Sequence, residues 1–118
     1  MSKIVIITGG SSGIGLCTAA ALREKGCKVY ELSRRDSEVP GITHLKCDIT
    51  DEEQVKAVVA QVMAENGRID ILINNAGFGI SGAVEFTETE DARRLFAVNF
   101  FGMVRMNRCV VPIMRQQG

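Results

Sequence analysis

Short apolar runs recur along the chain and predict the strands of a sheet. They occupy residues 3–8, 28–33, 43–48 and 69–73. The first run places Ile4, Val5, Ile6 and Ile7 in succession, and the last run is apolar apart from Asp70. Because apolar and polar positions do not alternate within these runs, we expect strands that are buried on both faces.

Helical spacing separates the predicted strands. Residues 14–25 repeat apolar or small side chains every three or four positions, and Gly26 follows at a place suited to ending a helix. A second helix is predicted behind a capping box, with Thr50 as the cap and Glu53 reaching back to it. This second helix ends near residues 66–67.

A long final helix is predicted over residues 88–117, bent near residues 99–102 and again at Pro112. Strands that alternate with helices imply an α/β fold with a parallel sheet covered on both faces. Right-handed crossovers favour a Rossmann-type doubly wound sheet of four strands in the order 3-2-1-4. We therefore expect residues 1–118 to form one dinucleotide-binding domain.

Composition and charge narrow the classes of function. Apolar residues make up 46% of the 118 residues, which is enough for a packed core. Lys plus Arg equals 14 and Asp plus Glu equals 14, so the basic excess of a nucleic-acid surface is absent and we expect no such partner. The apolar runs are too short for a membrane span or a signal peptide, and we expect a cytoplasmic protein.

Cysteine and histidine do not suggest a metal site. Cys17, Cys27, Cys47 and Cys109 form no C-x-x-C pair and lie among apolar neighbours. We interpret them as reduced, partly buried packing residues. A zinc site would need more histidine than the single His44, so no metal is expected.

The loop after the first strand carries the first candidate chemistry, because ligands of doubly wound sheets bind beyond the carboxyl ends of the strands. The residues assigned to binding here are Gly9, Gly10, Ser11, Ser12, Gly13, Ile14 and Gly15. Gly9 allows a sharp turn, Gly13 leaves room for a pyrophosphate, and Gly15 lets the helix approach the sheet. Free N–H groups of the first helical turn would face the phosphates. A tight turn without a ligand is the alternative.

The loop after the second strand favours NADP(H) over NAD(H). Folds that bind NAD usually place Asp or Glu at this strand end, where it accepts from the ribose 2′-OH. Here Ser33 occupies that place, and Arg34 and Arg35 follow. A guanidinium attracts the 2′-phosphate that a carboxylate would repel, so Arg34 is the expected main contact. The alternative is a solvated basic loop.

The loops after the third and fourth strands leave two interpretations open. Asp48 could accept from the adenine amino group with Ile49 packed beside the ring, or it could serve the entry of the following helix. Asn75, Ala76 and Gly77 suit a strand end that a ribose and a nicotinamide approach closely. They also suit an ordinary turn.

Taken in order, these motifs resemble those of the short-chain dehydrogenases/reductases. The motifs are Thr8-Gly9-x-x-x-Gly13-x-Gly15, Asp48, Asn74-Asn75-Ala76-Gly77 and Asn99. The resemblance covers the whole chain and implies a nicotinamide coenzyme with a small carbonyl or alcohol substrate. It assigns Arg34 to the 2′-phosphate and Asp48 with Ile49 to the adenine pocket. It further assigns Asn75 to the coenzyme and Gly77 to its nicotinamide end.

Catalysis in that family uses an Asn-Ser-Tyr-Lys tetrad, of which Asn99 alone has a counterpart here. The sole tyrosine, Tyr30, lies inside the second predicted strand and is expected in the core. Carbonyl reduction also needs a proton donor, which contributes about 10²–10⁴ in rate. The resemblance therefore implies the amino-terminal part of a longer NADP-dependent oxidoreductase, inactive by itself.

Two other functions remain open. One is a self-contained NADP-binding or regulatory module without catalysis, and the other is a nucleotide fold used for methyl transfer, which would explain neither Arg34 nor Asn99. The fourth predicted strand has no neighbour on its outer side, and an unpaired strand edge of this kind tends to pair with another chain. The last helix carries Phe100, Val104, Val110 and Met114. We therefore expect a homo-oligomer.

Overall fold

The computed structural model describes residues 2–79 and 82–118, and its sheet has four strands in the order β3-β2-β1-β4. The strands are β1 (Ile4–Thr8), β2 (Lys28–Ser33), β3 (Thr43–Lys46) and β4 (Ile71–Asn74). All neighbouring strands run parallel. The predicted α/β class, Rossmann-type doubly wound sheet and strand order are confirmed.

The two outer strands differ from the prediction at their ends. β3 ends at Lys46, and one last hydrogen bond to β2, from the Cys47 N–H to the Ser33 carbonyl at 2.9 Å, precedes the turn into the next helix. β4 begins at residue 71 rather than 69. Both strands are half-buried, whereas β1 is buried along its whole length. Burial on both faces was therefore wrong for the edges of the sheet, where no further strand covers the backbone.

The helices occupy the predicted intervals. They are α1 (Gly13–Glu24), α2 (Glu52–Asn66), α3 (Thr89–Phe96) and α4 (Met103–Gln117), with a 3₁₀ turn at Val84–Phe86 and a π-helical segment at Ala97–Gly102. The irregularity predicted near residues 99–102 is this π segment, which separates α3 from α4. The helix α4 continues unbroken through Pro112.

The predicted cap of α2 was wrong by one residue. The cap is Asp51, whose side chain accepts from the backbone N–H groups of Glu53 and Gln54. Thr50 instead donates its hydroxyl and its backbone N–H to Asp48. Adjacent capping residues compete for the same role, and the turn geometry after β3 decides between them.

Helices cover both faces of the sheet. On one face, Ile6, Tyr30 and Leu32 pack against α2 and α4, which contribute Val55 and Met106. On the other face, a smaller cluster joins Val5, Ile7 and Val29 to Ala19 of α1. Tyr30 is fully buried, as predicted.

Two further observations concern cysteine and membranes. Cys17 is exposed, so its assignment as a partly buried residue was wrong, because it lies on the outer side of α1. Across residues 2–79 and 82–118, none of the helices combines the length and apolar character needed to cross a lipid bilayer.

Candidate functional site

A cavity of 340 Å³ opens at the carboxyl end of the sheet, beside the loops that follow all four strands. Its position matches the reversal of strand order, since β1 lies between β2 and β4. The predicted site residues that line it are Gly9, Ser11, Ser12, Ser33, Arg34, Arg35, Asp48, Ile49, Ala76 and Gly77. Leu32, Cys47, Phe78 and Val98 complete the lining.

The other predicted site residues do not line the cavity. They are Gly10, Gly13, Ile14, Gly15, Asn75 and Asn99. The Ile14 side chain is 81% exposed, because it lies on the outer side of the first turn of α1. Gly10 and Gly15 are buried, and their close contacts support the shape of the loop.

The glycine-rich loop is held in a conformation that side chains would disturb. Gly9 has φ +69°, and a Cβ there would lie 2.8 Å from the Ala76 Cα. A Cβ on Gly15 would collide with the Gly9 carbonyl and the Asn75 amide, so Gly15 fits against the turn. The helix α1 has no acidic residue in its first turn, and Ser12 caps it without a side-chain hydrogen bond. The N–H groups and hydroxyls at this helix end are therefore suited to an anion.

The loop after β2 places two cations at the cavity. Arg34 and Arg35 line it, and both side chains are exposed. Ser33 donates its hydroxyl to Glu31 Oε1 at 3.1 Å and lies within 3.4 Å of the Arg35 carbonyl. The cavity is therefore electropositive where the second strand ends.

Asp48 serves the turn into α2 and also lines the cavity. Its Oδ1 accepts from the Thr50 backbone N–H at 2.9 Å and from the Thr50 hydroxyl at 2.7 Å. Burial raises the pKa of Asp48, but the Thr50 hydrogen bonds and the charges of Arg34 and Arg105 outweigh burial and hold this pKa below its ordinary value. Both interpretations of Asp48 are therefore compatible with its position.

The loop after β4 is tied to β1 through Thr8. The buried Thr8 Oγ1 accepts from the backbone N–H groups of Asn75 at 3.1 Å and Ala76 at 3.0 Å. Asn75 Nδ2 donates to the Gly9 carbonyl at 3.0 Å. The Asn75 amide therefore joins this loop to the glycine-rich loop and stands behind the cavity lining.

Asn99 lies in the π segment and clamps the main chain of Phe78. Its Oδ1 accepts from the Phe78 N–H at 3.0 Å, and its Nδ2 donates to the Phe78 carbonyl at 2.8 Å. A Cβ on Gly77 would lie 2.9 Å from Asn99 Oδ1, so glycine is required for this approach. The structure thus brings Asn99 against the Gly77 loop, with its amide already hydrogen-bonded.

Comparison with known proteins identifies the family. The model of the short chain dehydrogenase family matches residues 3–118. The chain belongs to this family. A 3-ketodihydrosphingosine reductase of Bacteroides thetaiotaomicron is 45% identical over 115 residues, which make up 97% of this chain and 43% of that protein. This short-chain dehydrogenase sequence therefore spans less than half of that relative's length.

Solved structures agree with the family assignment. The ligand-free aldohexose dehydrogenase of Thermoplasma acidophilum gives a TM-score of 0.93 at 36% identity, covering 98% of this chain and 45% of that chain. An NADH-dependent reductase complexed with NAD gives a TM-score of 0.86 at 26% identity, covering 98% and 53%. Proteins of the short-chain dehydrogenase family are oxidoreductases that bind nicotinamide coenzymes.

Sequence reasoning missed several residues that shape the short-chain dehydrogenase site. A Cβ on Gly102 would overlap the Ile49 side chain, so this glycine lets the π segment approach the cavity floor. Arg105 Nη1 donates to the Ile49 carbonyl at 2.9 Å. Thr8 and Glu31 hold the loops from within the strands. Thr8 opens the family motif, but nothing local to Thr8, Glu31 or Arg105 indicated these contacts, whereas Gly102 in a helical pattern indicated close packing.

Nucleophiles and metal ligands are sparse around the cavity. Burial, with smaller contributions from Asp48 and Asp51, raises the pKa of the Cys47 thiol to about 11, so it stays a neutral thiol. In the part of the chain that the structure describes, no group of three or more His, Cys, Asp or Glu residues could hold a metal ion.

Proposed function

We propose that this chain is the NADP(H)-binding portion of a short-chain oxidoreductase that transfers hydride between NADP(H) and a small carbonyl or alcohol substrate. Family membership supports the oxidoreductase class and a nicotinamide coenzyme. The preference for NADP(H) rests on one observation, which is that Ser33, Arg34 and Arg35 line the cavity where β2 ends.

Charge supports this preference. In residues 2–79 and 82–118, neither Arg34 nor Arg35 is within 4.0 Å of a carboxylate partner. The nearby Asp36 carboxylate is exposed and lies 3.8 Å from Lys46 Nζ. Both guanidinium groups can therefore meet a 2′-phosphate without first breaking an ion pair.

The pyrophosphate would lie on the glycine-rich loop. Gly9, Ser11 and Ser12 supply bare backbone and hydroxyls to the cavity, and the α1 N-terminus adds its dipole. Asp48 and Ile49 would receive the adenine, while Ala76 and Gly77 would lie towards the nicotinamide. In this arrangement the chain's own residues bind and orient the coenzyme, which supplies the hydride when bound.

We propose that the chain by itself is inactive, because the only tyrosine of the sequence, Tyr30, is not placed to supply the proton that carbonyl reduction needs. Tyr30 is fully buried, where its hydroxyl donates to Glu65 Oε1 and accepts from Asn66 Nδ2. That burial also favours a second candidate function, a self-contained NADP-binding or regulatory module. Turnover of NADPH with ketones by the product of the complete reading frame would separate the two.

The test of coenzyme choice is a fluorescence titration with NADPH and NADH. Arg34→Ala removes one charge-assisted contact, which is worth about 1.5–3 kcal/mol, so NADPH affinity should fall by about 10- to 100-fold. NADH affinity should stay unchanged. Arg108→Ala, which removes an exposed arginine paired with Glu52, is the matched control. Equal affinity of the unmodified protein for both coenzymes would contradict the proposal.

We further propose a homo-oligomer in the cytoplasm that binds neither nucleic acid nor membranes. Phe96, Phe100 and Phe101 are 57%, 47% and 53% exposed, and such an aromatic surface is typical of an interface. The cysteines are all free, which agrees with a reducing compartment.

A further inference from the structure

A buried carboxylate lies directly beneath the glycine-rich loop. Glu31 belongs to β2 and is 1% exposed. Its Oε2 accepts from the Gly10 N–H at 3.1 Å, and its Oε1 accepts from the Ser33 hydroxyl at 3.1 Å. One side chain thus connects the loop that would hold the pyrophosphate to the loop that would hold the 2′-phosphate.

The contact with Gly10 is close enough to exclude a side chain there. A Cβ on Gly10 would lie 2.9 Å from Glu31 Cγ and 3.0 Å from Ile7 Cγ2. Glycine at this position is therefore explained by the carboxylate below it. The Gly10 backbone thus packs directly on the Glu31 side chain.

His44 of β3 orients the carboxylate. It is the register partner of Glu31, and its Nδ1 lies 2.6 Å from Glu31 Oε1. The imidazole tautomer that carries its proton on Nδ1 donates to this carboxylate oxygen. The buried Nε2 has no hydrogen-bond partner among residues 2–79 and 82–118. The imidazole thus directs its only polar contact in this region at Glu31.

We propose that Glu31 is a positioning residue for NADP(H), which fixes the glycine-rich loop and Ser33 in the spacing that the two phosphate groups require. His44 holds it in place. This inference rests on the proposed function. A buried charged group costs free energy unless it is paired and hydrogen-bonded, and Glu31 uses both oxygens on groups beside the coenzyme site.

A positioning role and a purely electrostatic role for Glu31 predict opposite changes in NADPH affinity when its charge is removed, which makes the inference testable. A negative charge under a phosphate site repels the coenzyme, so its removal alone would tighten binding. The isosteric Glu31→Gln keeps the size but replaces one acceptor oxygen by an NH₂ donor. With its oxygen on the Gly10 N–H, the amide can still donate to the Ser33 hydroxyl and to a neutral His44 Nδ1, but every one of these contacts then becomes a neutral hydrogen bond, which is weaker than one to a charged group.

The experiment measures NADPH and NADH affinity of the purified protein and of Glu31→Gln by fluorescence titration. We expect NADPH to bind about tenfold more weakly, the effect of replacing the hydrogen bonds to a charged group by weaker neutral ones. NADH should weaken less, because it carries no 2′-phosphate to depend on the position of the Ser33 loop. Glu38→Gln is the control, since Glu38 is an exposed acid that follows the same strand. Unchanged or tighter NADPH binding by Glu31→Gln would overturn the inference.

A double-mutant cycle distinguishes an effect of Glu31 on the 2′-phosphate site from a general loss of order in the protein. In an Arg34→Ala background, Glu31→Gln should weaken NADPH no more than it weakens NADH. The phosphorus NMR resonance of the bound 2′-phosphate should also shift in Glu31→Gln and not in Glu38→Gln. Equal losses for both coenzymes, with an unshifted resonance, would reduce Glu31 to a structural residue.

A second variant covers the case in which Glu31→Gln does not fold. His44→Gln lies outside the cavity lining and can reach the coenzyme only through Glu31, so it should weaken NADPH by a smaller factor. Unchanged binding in His44→Gln would then overturn the inference. If the unmodified protein prefers NADPH but Glu31→Gln binds it equally well, this inference alone fails. If the unmodified protein binds neither coenzyme, the proposed function fails as well.

Discussion

The Thr8 hydroxyl offers the sharpest test of how this site is built. Thr8 ends β1, is 1% exposed, and accepts hydrogen bonds from the backbone N–H groups of Asn75 and Ala76 at 3.1 and 3.0 Å. Thr8→Val keeps the shape of the side chain and the β-branched backbone preference. It removes only the acceptor, so two main-chain donors lose their partner.

The expected loss follows from these two donors. Leaving a buried donor unsatisfied costs about 1–3 kcal/mol. Asn75 and Ala76 are half-buried, so water can reach them in part and the lower half of that range applies to each. Thr8→Val should therefore lower the free energy of unfolding by about 2–4 kcal/mol. Thr8→Ser keeps the acceptor and loses one buried methyl group, which costs about 1 kcal/mol.

The assay is urea unfolding followed by circular dichroism, with all three proteins compared at the same concentration. Thr8→Val must be the less stable variant, although it is the more apolar one. The slope of the free energy against urea should not change, because the exposed surface is the same. If Thr8→Val matches the unmodified protein, or if Thr8→Ser is the weaker of the two variants, the reasoning about the loop fails.

Two further predictions concern pH and assembly. Hydrogen bonds from Arg68 and from the Ile4 N–H lower the pKa of Asp70. The ionised Asp70 therefore stabilises the fold at pH values above the ordinary aspartate pKa of about 3.9, and this contribution is lost as the pH falls below that value. The difference in unfolding free energy between the unmodified protein and Asp70→Asn should therefore become smaller in acid. Sedimentation at micromolar concentration should show a homo-oligomer, and a clean monomer would contradict that proposal.

The amino-acid sequence determined the class of fold and the place of the site. Strand and helix periods differ, so the alternation of apolar runs with helical spacing was enough to predict a parallel sheet in the order 3-2-1-4. Glycine spacing located the loop after β1, and Arg34 at the end of β2 carried the coenzyme hypothesis. These features are local, since each depends on residues that are neighbours along the chain.

The roles of single side chains were less predictable. The roles of Asn75 towards the coenzyme and of Asn99 in the reaction stay predictions, whereas the contacts of their amide groups with the Gly9 and Phe78 backbone were not foreseen. Asp51 rather than Thr50 caps α2. An amide or carboxylate has several possible partners, and the sequence does not say which of them the fold brings within hydrogen-bond distance.

Only the tertiary structure revealed the contacts that Glu31, Thr8 and Gly102 make at the site. Glu31 and Gly10 are 21 residues apart, and Thr8 and Ala76 are 68 residues apart, yet each pair is in direct contact. Gly102, at the end of the π-helical segment, lies close to the side chain of Ile49, which follows β3. Patterns along the chain indicate which residues become buried. Contacts between distant residues depend instead on how the packed helices and strands align, and this alignment exists only after folding.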